Sequence, residues 1–310
     1  MEGYHEPVLL KEVLKFLKIE PGRRYIDATV GDGGYTLEIL KAGGNVLGID
    51  VDPDALMRAE ERLRGLGEYE LIQGNFRDIK NLIQKMGLTD QKFSGIIFDL
   101  GVSSLQLESP ERGFSFSKDG PLDMRMDPSL SVRAEDLIKV LNKGELYELF
   151  SKLGEEKFAK QLVGALVSPN KIGTGQKRLE IRNTVDLANL VERVYRKHGV
   201  RSGRIPAHAK STAGKHPATR VFQALRIAVN DELNALKEVL PQCLNILEEK
   251  GRIVIISFHS LEDRIAKQTF KTWEEVGLGK VITKKPFTPT HEEIMNNQRS
   301  RSAKMRVFEK

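Results

Sequence analysis

The eight residues Asp27-Ala28-Thr29-Val30-Gly31-Asp32-Gly33-Gly34 constrain this chain most, because they stand where a short apolar run turns into a helical pattern. A glycine-rich turn between a first strand and its helix is where a doubly wound sheet accepts a nucleotide-containing cofactor, since glycine lets the backbone approach the ligand. Asp50 follows Gly31 by nineteen residues, at the end of the next apolar run. There a carboxylate can accept hydrogen bonds from both ribose hydroxyls.

Two details discriminate between cofactors. In the Gly-x-Gly-x-x-Gly pattern of dinucleotide folds the third glycine allows the helix to approach a pyrophosphate, and here Thr36 takes that place. Asp27 also puts an acid in a strand position that is apolar in most dinucleotide folds. S-adenosylmethionine has no phosphate and carries a sulfonium and an α-amino group, so carboxylates around the turn suit it. Phe76, after the third strand, can lie against an adenine or fill the core.

The first hundred residues alternate strand and helix in the manner of a parallel sheet. Strands are expected at 25–30, 45–51, 70–73 and 95–100, with a helix over 36–41 closed by Gly43-Gly44. Asp52-Pro53 supplies an N-cap and a first-turn proline, and Ile79, Leu82, Ile83 and Met86 mark an amphipathic helix. From Gly101 to about Pro128 the composition is that of an ordered loop. Helical stretches follow at 134–141, 145–153, 155–167 and 185–197, with no convincing strand between them. Segments 168–182 and 200–215 are expected to order only on a partner. A helix at 219–240 and a strand at 252–258 then return to the α/β pattern. Ser260-Leu261-Glu262-Asp263 has the form of a helix start, and 304–309 reads as a closing edge strand.

At 310 residues, 40% hydrophobic and 30% charged, the chain can bury a sizeable core. The one cysteine, Cys243, excludes an internal disulfide, and no signal-like segment precedes Pro7. A cytoplasmic protein is expected. No apolar run approaches the roughly 20 residues that span a bilayer, and no metal-ligand spacing, nucleophile elbow or Walker loop is present. The net charge of +6 is uneven. Between Arg196 and Arg226 lie Lys197, Arg201, Arg204, Lys210, Lys215 and Arg220 without an acid among them, and Lys280, Lys284, Lys285, Arg299, Arg301, Lys304 and Arg306 form a second group. Such clusters suit a phosphate backbone, although a solvated basic surface has the same composition.

Asp99 ends the fourth strand, at the carboxyl edge where such sheets place their chemistry. An exocyclic base amine is a poor nucleophile, because its lone pair is delocalised into the ring. A carboxylate that aligns it and accepts its proton is therefore useful, whereas a turn-capping acid is the plainer role. Gln106 and the acidic loop after it can cover a cofactor. Arg220, Gln223 and Arg226 recur at helical spacing and can present one polar face, with Phe222, Leu225 and Val229 inward. His259 and His5 are candidates for substrate contact, set against the incidental role that lone histidines usually have.

The run of motifs resembles the bacterial ribosomal RNA small-subunit methyltransferase H family across nearly the whole chain. The resemblance is carried by His5-Glu6-Pro7-Val8-Leu9-Leu10, 27–34, Gly48-Ile49-Asp50-Val51-Asp52-Pro53, 99–107, and Pro110-Glu111-Arg112-Gly113-Phe114-Ser115-Phe116. It continues through Asp119-Gly120-Pro121-Leu122-Asp123-Met124-Arg125-Met126-Asp127, 216–226, 256–264 and Arg299-Ser300-Arg301-Ser302-Ala303-Lys304. It implies a Rossmann-like S-adenosylmethionine-dependent methyltransferase sheet with an inserted small helical domain: core at 1–106 and 216–310, RNA-recognising insertion at 107–215. The implied reaction is methylation of the N4 amine of a cytidine in the decoding region of 16S rRNA, within the small ribosomal subunit or an assembly intermediate.

The cofactor contacts that the resemblance implies are Gly33, Gly34, Tyr35, Asp50, Phe76, Asp99 and Gln106. Tyr35 stands where the family usually has histidine, so a backbone contact is expected there. Asp99 and His259 are the catalytic candidates, and Lys215, Arg220 and Arg226 the candidates for RNA; whether a homodimer forms is left open. The competing readings are a small-molecule or DNA methyltransferase on the same core and an RNA-binding assembly factor that keeps the cofactor site for structural reasons. A nicotinamide oxidoreductase is more distant.

Overall fold

The structure is a computed structural model that describes residue 4 and residues 6–169, 176–198 and 216–310. His5, Lys215 and the basic stretch 200–215 lie outside the described residues. The chain divides into two compact units, Met1–Ser103 with Leu233–Lys310, and Ser104–Glu232.

In chain order the strands are β1 (Arg24–Asp27), β2 (Asn45–Asp50), β3 (Tyr69–Gln73), β4 (Phe93–Asp99), β5 (Val167–Pro169), β6 (Gln176–Arg178), β7 (Leu247–Ser257), β8 (Lys280–Val281) and β9 (Lys304–Glu309). The helices of the first unit are α1 (Leu10–Leu17), α2 (Gly34–Lys41), α3 (Pro53–Leu63) and α4 (Ile79–Lys85). Those of the second are α5 (Ser104–Glu108), α6 (Ala134–Val140), α7 (Lys143–Glu148), α8 (Ala159–Leu166), α9 (Thr184–His198) and α10 (Thr219–Asn230). The chain then continues through α11 (Glu232–Ile246), α12 (Ser260–Glu275) and α13 (His291–Asn296).

Seven strands of the first unit form one sheet in the order β3-β2-β1-β4-β7-β9-β8. Its first five strands pair in parallel, and β9 runs antiparallel between β7 and β8. The α/β reading holds, with one correction: β9 lies inside the sheet rather than at its edge, because the two-residue strand β8 pairs beyond it. So short a strand leaves no periodicity to read.

Successive residues of each central strand point to opposite faces. Ile26, Leu47, Ile49, Ile96, Phe98, Ile253 and Ile255 pack with α4, α11 and α12 on one side. Tyr25, Val46, Ile97, Val254, Ile256, Met305 and Val307 pack with α1, α2 and α3 on the other. Burial on both faces is why these strands read as near-continuous apolar runs. Among the described residues no helix is long and apolar enough to cross a membrane.

In the second unit, α10 packs on a π-helical turn at Leu149–Leu153, with Val221, Phe222, Ala224 and Leu225 buried. The approach is close enough that a Cβ on Gly154 would stand 2.7 Å from the carbonyl oxygen of Arg220. The sequence puts the return to the core at residue 216, whereas α10 belongs to this unit. The expected helix 219–240 is likewise two helices, broken at Asp231, which adopts φ 49°. The helical pattern runs through the break without glycine or proline, which hides it from sequence. Short strands β5 and β6 pair antiparallel between Val167 and Arg178, where no strand was expected.

Candidate cofactor and catalytic site

Parallel strands bring their carboxyl ends together, so Asp27, Asp50 and Asp99, ending β1, β2 and β4, share one edge of the sheet. Asp27 is fully buried, not a solvent-facing turn acid. Its Oδ2 accepts from the Thr36 hydroxyl at 2.8 Å and its Oδ1 from the Thr29 N–H at 3.4 Å. Thr36 thus replaces the third glycine with a buried donor that the acid requires.

Gly31 and Gly33 adopt φ 53° and 82°, left-handed conformations that glycine takes without strain. The turn they make aims the Gly31 N–H at Asp50 Oδ2, 2.9 Å away, while Asp50 Oδ1 accepts from the Asp52 N–H at 2.9 Å. Asp52 caps α3 as expected, accepting from the Asp54 N–H at 3.2 Å. Arg62 of α3 donates to Asp32 Oδ1 at 2.7 Å and braces the turn from outside.

Asp99 is held at its backbone, where its N–H donates to Thr29 Oγ1 at 2.7 Å. Its Oδ1 is buried without a hydrogen-bond partner, a condition that buried polar atoms seldom tolerate. Phe76 is half-buried and meets Phe98 edge-on with ring centroids 5.5 Å apart. It therefore borders both the core and the strand-edge site.

Electrostatics follow from this crowding. Burial pushes Asp27 and Asp50 up to about 6, against the hydrogen bonds each accepts. Burial pushes Asp99 up to about 8, with the charge of Asp27 adding to the rise and the Tyr35 hydroxyl opposing it. Three acids that resist ionisation together are suited to a ligand that brings positive charge. A sulfonium with an α-amino group fits that donor set, and the unpartnered Oδ1 of Asp99 is one place where such a ligand would satisfy the protein.

Residues ahead of α1 form the wall beside Gly34. A Cβ on Gly34 would stand 2.5 Å from Pro7 Cγ, and the Tyr35 hydroxyl donates to the Val8 carbonyl at 2.6 Å. Tyr4 lies over the Arg62 guanidinium, 4.6 Å from ring centroid to Cζ. The Leu9 N–H donates to Glu293 Oε1 of α13 at 2.7 Å.

The family model described as the MraW methylase family matches residues 2–310. This chain belongs to the MraW methylase family. It is 42% identical to the ribosomal RNA small subunit methyltransferase H of Carboxydothermus hydrogenoformans, over 100% of this chain and 99% of that one. It is 40% identical to the protein of the same name from Halothermothrix orenii, over 99% and 98% of the two chains. A methylase needs a methyl donor, and the three acids gathered at this edge suit the cationic S-adenosylmethionine.

His259 stands two residues after the end of β7 and is the N-cap residue of α12. Its Nε2 is 3.1 Å from Glu262 Oε1, yet neither ring nitrogen has the alignment of a hydrogen bond. The helix start is therefore one residue earlier than the Ser260-x-x-Asp263 pattern indicates. Glu262, 2% exposed, accepts from the N–H of Phe258, the residue ahead of the N-cap, at 3.0 Å. Glu262 and Thr29 are site residues that sequence reasoning missed. Glu262 had a legible signal in its place three residues after His259.

The remaining candidates lie in the second unit. Gln106 is buried on α5. The polar face of α10 serves its own unit: Arg220 donates to the Glu155 carbonyl at 2.8 Å and Gln223 to the Leu153 carbonyl at 3.2 Å. Arg226 is held by Glu232 in a two-pronged ion pair at 2.8 and 2.9 Å. The contact of Gln223 supplies a partner that the Leu153 carbonyl, at a helix end, otherwise lacks.

Proposed function

We propose that this methylase transfers a methyl group from S-adenosylmethionine to the N4 amine of a cytidine in 16S rRNA of the small ribosomal subunit, in the cytoplasm. The full-length identity of about 40% to relatives named for small-subunit rRNA methylation supports the substrate class. The observation that carries the chemistry is the buried, unpartnered Oδ1 of Asp99 at the end of β4.

S-adenosylmethionine, when bound, supplies a methyl group on positively charged sulfur. Asp50 accepts hydrogen bonds from the ribose hydroxyls, Gly33 and Gly34 allow close backbone approach with Tyr35 adding a backbone contact, and Phe76 borders the adenine. The target cytidine leaves its stack to reach the edge of the sheet. Asp99 orients the exocyclic amine and takes up the proton that nitrogen loses. His259 borders the same strand edge. Lys215 and Arg220 contribute charge toward the phosphate backbone, whereas the guanidinium of Arg226 serves Glu232.

The test is transfer of labelled methyl from S-adenosylmethionine to small subunits from cells lacking the enzyme, followed by nucleoside analysis. Label in N4-methylcytidine is the expected result. Label in another nucleoside, or none on subunits or free rRNA with cofactor binding intact, would refute the assignment.

A further inference from the structure

Past the end of β1, the Ala28 N–H donates to the Ile97 carbonyl of β4 at 2.9 Å, and the Val30 N–H donates to the Ile49 carbonyl of β2 at 3.0 Å. A regular strand sends the N–H groups of residues two apart to the same neighbour, so the chain leaves the β1 pattern at Thr29. In a regular parallel ladder Ala28, bonded to Ile97 through its N–H, would offer its own carbonyl to the N–H of Asp99. That N–H goes instead to the side-chain oxygen of Thr29, 2.7 Å away. On the opposite side the Leu100 N–H donates to the Ile256 carbonyl beside it at 3.0 Å. The end of β4 is thus held by main chain towards β7 and by a threonine hydroxyl towards β1.

We propose that Thr29 is a positioning residue for methyl transfer: its hydroxyl oxygen, standing in for a ladder carbonyl, fixes the backbone of Asp99 and with it the direction in which the carboxyl meets the substrate amine. The proposal rests on the reading of Asp99 as the group that orients this amine and takes up its proton. Thr29 exchanges no proton and acts through Asp99. Its own backbone is tied to the buried acid of β1, because the Thr29 N–H donates to Asp27 Oδ1 at 3.4 Å while Asp27 Oδ2 accepts from the Thr36 hydroxyl at 2.8 Å.

The side chain suits the task. Branching at Cβ leaves threonine few choices of χ1, so the methyl group that stiffens it also keeps Oγ1 aimed. Serine can accept the same bond, whereas valine keeps the shape and cannot accept one. Asp99 Oδ1 is buried without a hydrogen-bond partner, so nothing bonded to that oxygen sets its direction and the backbone beneath it matters more. In Thr29→Val the Asp99 N–H lacks an acceptor unless the end of β4 shifts towards the Ala28 carbonyl, and such a shift carries the carboxyl with it. A misplacement of about 1 Å in a reacting group can cost roughly a hundredfold in rate.

The experiment compares Thr29→Val and Thr29→Ser with wild type in transfer of labelled methyl to small subunits, counting label in whichever nucleoside receives it. In Thr29→Val kcat should fall roughly tenfold to a hundredfold, while KM for subunits and the dissociation constant for S-adenosylmethionine stay within about threefold. Thr29→Ser should return kcat to within about threefold of wild type, a rescue that a merely space-filling threonine would not show. Wild-type kcat in Thr29→Val, equal losses in both variants, or a loss confined to cofactor affinity overturns the proposal. Should Thr29→Val not fold, amide exchange in wild type decides instead: the Asp99 N–H must exchange slowly, and exchange as fast as in an open loop overturns the proposal. Full turnover by Asp99→Asn would refute the reading of Asp99, whereas an inactive Asp99→Asn beside a fully active Thr29→Val refutes Thr29 alone.

Discussion

The Gly31 N–H and the Asp50 carboxylate meet at 2.9 Å, so the glycine turn and the end of β2 are one hydrogen-bonded structure. The turn's conformation and the acid's orientation consequently cannot vary independently. Asp50 also accepts from the Asp52 N–H at 2.9 Å, which fixes it from the side of α3.

Asp50→Ala is expected to weaken S-adenosylmethionine binding tenfold to a hundredfold, because a hydrogen bond to a charged acceptor contributes roughly 1.5–3 kcal/mol. Calorimetric titration measures it. Affinity within twofold of wild type would remove Asp50 from the cofactor site.

The affinity for S-adenosylmethionine should also depend on pH. Asp27 and Asp50 titrate near 6 and Asp99 near 8 in the ligand-free protein, and a cation binds best to their ionised forms. Binding should therefore strengthen from pH 6 to 8.5 and release protons. S-adenosylhomocysteine, neutral at sulfur, should show a shallower dependence. Equal slopes for the two ligands would count against the acids as the cation's partners.

Asp27 carries a stability cost. Its folded value near 6 lies above the ordinary 3.8, so the native state holds the proton more tightly than the unfolded chain. Stability from this group is present below pH 3.8 and declines as pH rises towards 6, by about 3 kcal/mol in all. Asp27→Asn keeps the shape, and the Thr36 hydroxyl can reverse its role. The ligand-free variant should melt above wild type at pH 7.5, with the difference fading near pH 4. A variant that melts lower at both pH values would contradict this account.

Gly34→Ala places a methyl group against Pro7. The residues ahead of α1 must move, and overpacking of this kind typically costs 1–3 kcal/mol. Limited proteolysis should cut ahead of Leu10 faster in the variant than in wild type. Unchanged cleavage would mean that Pro7 adapts without leaving the turn.

The parallel core was legible because strands covered on both faces, such as Phe93–Asp99, carry nearly unbroken apolar runs between glycine and acidic turns. Lys280–Val281 was not, since two residues cannot show a period. Asp231 was not either, because a non-glycine residue at φ 49° leaves no compositional trace. In the candidate site, Asp27, Asp50 and Asp99 could be picked out because each ends an apolar run. The Tyr35 contact with Val8 could not, since nothing local in the sequence links a helix residue to a carbonyl before α1. Arg226 illustrates the opposite error: helical spacing gives the face, but whether a cation serves a ligand or a neighbouring acid depends on tertiary placement.

The bond from Leu9 to Glu293 also bears on the order in which the molecule is made. Residues that wall the glycine turn leave the ribosome well before their anchor, which is translated 284 codons later. A nascent chain can form β1 to β4 early, but it cannot complete the wall until α13 has emerged. Products interrupted before α13 would therefore lack this anchor of the wall, which couples completion of the glycine-turn cradle to translation through Glu293.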